Sequence, residues 1–109
     1  MNELTLKEVC NKYGISRRAI QGYEKAGLVS ATGKTARGYL LYDEISQDRI
    51  KKIKLFQDMG FSVKEIREII DAPPSTIKSA LEKQLMKLKE ECKRKSEIIR
   101  ITEEFITKL

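Results

Sequence analysis

Arg17 and Arg18 stand side by side directly after Ser16, at the head of the stretch SRRAIQGYEKAGL (residues 16–28), and Gln21 follows one turn later. Serine before a helical run is a preferred N-cap, so the spacing predicts a short helix with two cations in its first turn. The helix dipole disfavours cations at that end. A cation pair set against the dipole suits an external anion. Arginine and glutamine are also the side chains that pair bidentately with guanine and adenine edges. The chemistry implied is recognition of a polyanion rather than bond making. The chain has no histidine, no glycine-rich phosphate loop and no nucleophile beside a base, so no enzymatic activity is expected. Glu8 and Glu65 each follow a Thr or Ser by three residues and read as capping residues, not a catalytic pair. Cys10 and Cys92 lie far apart and offer too few ligands for a structural zinc site. Neither a metal nor a cofactor is expected.

The composition agrees with that reading. The 109 residues carry a formal net charge of +6, with a pI of about 9.4. A small basic protein favours nucleic acid first and an anionic membrane second. Residues 1–42 hold seven Lys/Arg against three Asp/Glu, the strongest basic bias per residue in the chain. No run of about 18 apolar residues is present, and the N-terminus lacks a signal-peptide layout. A reduced, cytoplasmic protein without membrane contact is the simplest expectation.

The positioning elements announce themselves by their caps. Thr5 with Glu8 makes a capping box before a first helix, in which Leu6, Val9, Cys10 and Tyr13 recur at helical spacing and Gly14 ends the run. Ser16 opens the second helix, with Ile20 and Tyr23 following and Gly27 as its stop. Two short helices joined by a tight glycine-containing turn read as a helix-turn-helix, the second helix in the reading position. Residues 28–43 then read as a hairpin. Leu28 and Val29 are expected to start its first arm, Gly33 and Gly38 to bracket a basic tip with Lys34 and Arg37, and Tyr39–Tyr42 to form the return arm. Asp43 caps a third helix with a core stripe of Ile45, Ile50, Ile53 and Phe56. Ser62 with Glu65 caps a fourth, with Ile66, Ile69 and Ile70 inward, and Pro73 and Pro74 break the chain.

From about residue 75 to 109 there is no glycine or proline. Leu81, Leu85, Leu88, Cys92, Ile99 and Ile106 step by heptad intervals, with Lys95 and Thr102 as polar breaks. A single helix of this length cannot bury its stripe on so small a domain, so a second copy of the chain is the simplest partner. Ile98, Ile101 and Phe105 widen the stripe near its end. The expected fold is therefore mainly α: a winged helix-turn-helix DNA-binding domain over residues 1–72, then a coiled-coil dimerisation helix over residues 75–109.

The stretches VCNKYGISRRAIQGYEKAGLV, RGYLLYD and FQDMGFSVKEIREII, in this order, resemble the MerR family of bacterial transcription regulators over residues 4 to 70. The resemblance implies a homodimer held by an antiparallel coiled coil, with the second helix in the major groove of double-stranded DNA and the wing on the flanking backbone. It also implies distortion of a promoter spacer, so that RNA polymerase can read it. Family members that answer to an effector continue past the long helix, so a chain ending at Leu109 resembles a short form without an effector domain. The family usually has Arg-Tyr-Tyr where this chain has Gln21, Gly22 and Tyr23. It usually has Gly-Tyr-Arg where this chain has Gly38, Tyr39 and Leu40.

On this reading Arg17, Arg18 and Gln21 face the major groove. Tyr23, Lys34, Arg37 and Tyr39 hold phosphates, with Lys64 as a further contact. Leu81, Leu85, Leu88, Cys92, Ile99 and Ile106 form the dimer seam. Cys92 is expected to be a small apolar seam residue. As the midpoint of residues 75–109, it could also meet its copy at a two-fold axis as a disulfide. Cys10 is expected in the core. Three other functions stay open on sequence alone: an architectural factor in recombination or excision, a coiled-coil interaction protein with a weakened DNA module, and a small-molecule sensor.

Overall fold

The computed structural model describes residues 2–109. In chain order it contains β1 (Leu4–Thr5), α1 (Leu6–Tyr13), α2 (Arg17–Lys25), β2 (Gly33–Lys34), β3 (Leu40–Tyr42), α3 (Glu44–Asp58), α4 (Val63–Ile69) and α5 (Pro74–Thr107). The chain divides into two compact units, the first ending at Asp71 and the second being Ala72–Leu109.

In the first unit, each of the four short helices begins at a side-chain cap. Thr5 and Ser62 form full capping boxes with Glu8 and Glu65. Ser16 Oγ accepts from the Ala19 amide, and Asp43 accepts from the Ser46 amide. Such caps satisfy amides that have no partner inside the helix. Gly14 closes α1 in the left-handed conformation, φ 64°, where glycine carries no Cβ penalty. The core behind these helices is a single apolar cluster. Val9, Ile20, Tyr42, Ile50, Ile53 and Ile66 are fully buried, and Phe56 meets Phe61 edge-on at 6.0 Å. α1 packs on α2, α2 on α3, and α3 on α4, so the core side of α3 backs the helix-turn-helix.

The sheet departs from the expected two-armed hairpin. It has three strands in the order β1-β3-β2, all antiparallel, with Leu4 opposite Tyr42 and Gly33 opposite Leu41. Leu28 and Val29 are not its first arm. They are buried in the core, and the arm is Gly33–Lys34. Lys34 therefore lies in β2 rather than at the tip, and the turn is residues 35–38, closed by the Gly38 amide donating to the Thr35 carbonyl.

Two further expectations are corrected. Ile45 is 78% exposed, while Ser46 and Gln47 are buried in its place. Residue 45 is five positions from Ile50, off the three-and-four spacing of the inner stripe. Gln47 tolerates burial because its amide is fully engaged: it donates to the Asn2 and Tyr42 carbonyls and accepts from the Tyr13 hydroxyl. Cys10 is only partly buried.

Arg49 ties three parts of this unit together. Its Nε donates to the Leu28 carbonyl, and its two terminal nitrogens form a fork onto the Asp71 carboxylate at 2.8 Å each. That pairing, chiefly the hydrogen bond from Arg49, holds the Asp71 carboxyl below its ordinary range.

The second unit is dominated by α5, 34 residues long and so about 50 Å in extent. Pro74 occupies its first turn, where a missing amide costs nothing. None of its residues is buried in the single chain. Leu85, Leu88, Cys92, Ile99 and Ile106 are all exposed, as are Ile98, Ile101 and Phe105, and Leu81 is half-buried.

Candidate nucleic-acid interface

The solvent face of α2 is built by its cap and by two inward residues. Ser16 sets where the helix starts, and Ile20 and Tyr23 turn one side into the core. What remains outside is Arg17, Arg18, Gln21, Gly22 and Lys25, all exposed. This face carries three cations and no acid. The helix has one carboxylate, Glu24, and it is turned away: Tyr42, fully buried, donates its hydroxyl to Glu24 Oε1. The internal hydrogen bond draws the negative charge off the outer face.

Burial, and then the bond to Glu24, pushes the Tyr42 phenol well above its ordinary value of 10. Burial likewise raises Tyr23. A folded-state pKa above the unfolded one stabilises the fold fully below the unfolded pKa, and the contribution fades as pH rises past it. The melting temperature is therefore expected to fall as pH climbs from about 9.5 to 11.5. Tyr42→Phe is expected to flatten that slope and to cost about 1.5–3 kcal/mol at neutral pH, the range for a hydrogen bond to a charged group. Thermal melts across the pH series check both.

A groove of about 450 Å³ lies beside the start of α2, lined by Lys7 of α1, Arg17 of α2, and Tyr39 and Leu40 at the root of the wing, among others. Tyr39 is 61% exposed. Its amide donates to Thr35 Oγ1 at 3.1 Å, and its carbonyl accepts from the Thr35 amide at 2.8 Å, so its backbone is held while the ring stands out. Lys34 and Arg37 are exposed on the same hairpin. Among the described residues the ion pairs are Arg49–Asp71, Lys54–Asp58 and Arg100–Glu104, none of which involves Lys7, Arg17, Arg18, Lys25, Lys34 or Arg37.

The structure thus gathers most of the sequence-selected residues but not all. Arg17 and Tyr39 share one groove, Arg18 and Gln21 share the outer face of α2, and Lys34 and Arg37 share the hairpin. Lys64 is exposed in the first turn of α4 and does not line the groove. Tyr23 is corrected outright: it is 1% exposed, and its hydroxyl donates to Gln57 Oε1 at 2.5 Å. It anchors α2 to α3 and has no free surface to offer a phosphate. Lys7 and Lys25 were not singled out by the sequence. Lys25 follows Gln21 by four positions on the same helical face, a signal that was available. Lys7 gave none, because its nearness to the wing depends on β1 pairing with β3. No group of three or more His, Cys, Asp or Glu side chains among the described residues could hold a metal ion. Nor is any of their helices long and apolar enough to cross a membrane.

A capped helix-turn-helix whose second helix has a cationic, acid-free outer face, with a basic three-stranded wing, defines a winged helix-turn-helix module of the kind that docks on duplex DNA. Residues 4–73 match the model of the MerR HTH family regulatory proteins, and the chain belongs to that family. It is 34% identical over 88 residues to the HTH-type transcriptional activator mta of Bacillus subtilis, an alignment covering 78% of this chain and 34% of the relative. The chain spans about a third to a half of the length of the curated relatives it matches. Among solved structures, the N-terminal part of the Bacillus subtilis multidrug transporter activator superposes with a TM-score of 0.75 at 29% identity, covering 94% of this chain and 97% of that one. HiNmlR, a MerR family regulator lacking the sensor domain and bound to promoter DNA, shares the fold with a TM-score of 0.68 at 20% identity, covering 85% of this chain and 77% of that one.

Proposed function

We propose that this chain binds double-stranded DNA sequence-specifically as a homodimer and regulates transcription by distorting a promoter spacer, so that RNA polymerase engages it. The observation that carries the reading is the outer face of α2, where Arg17, Arg18, Gln21 and Lys25 stand exposed with no carboxylate among them. In this reading Arg18 and Gln21 contact base edges in the major groove, Arg17 and Tyr39 hold the backbone beside it, and Lys34 and Arg37 reach the flanking phosphates. Lys64 adds a weaker phosphate contact. Residues 1–72 form the DNA-binding part. Residues 75–109 form an antiparallel coiled coil whose seam is Leu81, Leu85, Leu88, Cys92, Ile99 and Ile106. The exposed apolar side chains of α5 support that assignment, because a stripe of this length on a single helix marks an interaction surface. The protein acts in the cytoplasm, where promoter and polymerase are. The matched relatives are named as transcription regulators, which favours this over an architectural role in recombination.

In vitro selection from random duplexes, followed by anisotropy titrations at several salt concentrations, tests the reading. An enriched inverted repeat is expected. With six or more phosphate contacts across the dimer, log K against log salt has a slope of about −5 or steeper. No enrichment, with weak binding indifferent to sequence, would sink the proposal.

Gly22 offers a sharper test of contact at this face. A Cβ built there meets nothing within 4 Å, and the backbone conformation does not call for glycine. Gly22→Ala is therefore expected to stabilise the free protein by about 0.5–1 kcal/mol. The same methyl stands where the helix backbone approaches DNA, so affinity for the selected duplex is expected to fall. Thermal melts and titrations on the one variant read both effects.

A further inference from the structure

We propose that the groove lined by Lys7, Arg17, Tyr39 and Leu40 is a seat for one DNA backbone phosphate, with Lys7 and Arg17 as its two cationic walls. The proposal rests on the reading that the chain binds duplex DNA. It adds α1, an element with no role in that reading so far, to the contact surface.

Three observations converge on the groove. First, it holds two cations with no partner: neither Lys7 nor Arg17 enters an ion pair among the described residues. The nearest acid in sequence, Glu8, is engaged elsewhere, its Oε1 accepting from the Thr5 amide at 2.9 Å in the capping box. Second, the walls come from three separate elements, and each is held from behind. α1 is anchored by buried Val9 and α2 by buried Ile20 and Tyr23. The wing is anchored by the pairing of Thr5 with Leu41. Anchored elements leave only the exposed side chains of Lys7 and Arg17 to be ordered when a ligand enters. Third, Tyr39 stands exposed at the rim, and no internal hydrogen bond engages its hydroxyl among the described residues, so a donor is available to a phosphate oxygen. Leu40 lines the same space without charge. Position 40 on the wing and position 7 on α1 are thus alternative sources of a cation for one groove. In this chain the cation comes from α1.

A phosphate held this way fixes register without reading sequence. Lys7→Ala is therefore expected to weaken binding to the selected duplex and to a scrambled duplex by the same factor, roughly tenfold near 0.1 M salt for each copy of the groove engaged. The salt slope is expected to shallow by about one unit per copy. Base preference in a repeated selection stays as in the wild type. Lys7→Ala combined with Leu40→Arg is expected to recover most of the affinity and the slope, because the charge returns to the same groove from its other side. Lys7 is exposed, so thermal melts of both variants are expected to match the wild type closely enough for the comparison to stand. If Lys7→Ala leaves affinity and slope unchanged while Arg18→Ala weakens binding, the groove is not a phosphate seat, although the DNA-binding reading survives. If Lys7→Ala weakens binding but Leu40→Arg fails to restore it, the shared-groove geometry is wrong. If the wild type binds no duplex, both readings fall together.

Discussion

Ile20→Ala is expected to lower the unfolding free energy by about 2–5 kcal/mol, the range for truncating a fully buried isoleucine. For a unit of this size that corresponds to roughly 10–30 °C in melting temperature. The reason lies in how little holds α2. It is nine residues long, with glycine in its middle and two cations opposing its dipole at the start. Isolated helices this short are marginal in water, so tertiary packing must carry the stability. That packing is Ile20, with no exposed surface, and Tyr23 with its bond to Gln57. Removing the isoleucine side chain opens a cavity between α2 and the core and loosens one of the two contacts that set the pitch of the outer face. Ile45→Ala is the matched control. Its side chain is 78% exposed, and a change within about 0.5 kcal/mol is expected. Urea or thermal unfolding of the two variants separates them.

The contrast between those isoleucines shows what could be read from the sequence and what could not. Caps were legible because they are local: Thr5 with Glu8, Ser16, Asp43, and Ser62 with Glu65 announce helix starts within four residues. The arginines of α2 were legible for the same reason, since their conflict with the dipole is visible in the stretch itself. Strand β1 was not legible. It is two residues long, and its existence depends on Tyr42, 38 positions away from Leu4 in the observed register. Lys7 is brought beside the wing by the pairing of β1 with β3 and the packing of α1 on β3, both long-range, so the groove could not be foreseen. Leu28 and Val29 look like a strand because β-branched and apolar neighbours suit strands and buried loops equally. Tyr23 and Tyr39 have the same chemistry and opposite fates: one is 1% exposed and the other 61%. A tyrosine carries both an apolar body and a polar tip, so only the packing around it decides which is used. Glu24 was visible as a charge, but its withdrawal from the outer face needed Tyr42 in position.

Arg18→Ala is expected to cost about 1–3 kcal/mol of discrimination at one base pair of the selected site, the range for losing a bidentate contact to a base edge. That corresponds to a loss of roughly 5- to 150-fold against the preferred duplex, with much less against a scrambled one. The assignment to Arg18 rather than Arg17 follows from the helix. Arg17 lines the groove beside the wing, and Arg18 stands a further 100° round α2, on the exposed side shared with Gln21 and Lys25. A second readout guards against mistaking general damage for lost contact. Arg18 lies in the first turn of α2, where no acidic residue offsets the dipole. Its removal relieves an unfavourable charge, so the free variant is expected to be more stable by a few tenths to about 1 kcal/mol. A merely structural arginine would lose stability together with affinity. A base-reading arginine held against its helix gains stability while losing affinity and narrowing the gap between specific and scrambled DNA. Melts in the absence of DNA, with titrations against both duplexes, decide between them. Equal loss on both duplexes would move Arg18 to the phosphates and leave Gln21 as the remaining candidate for direct readout from α2.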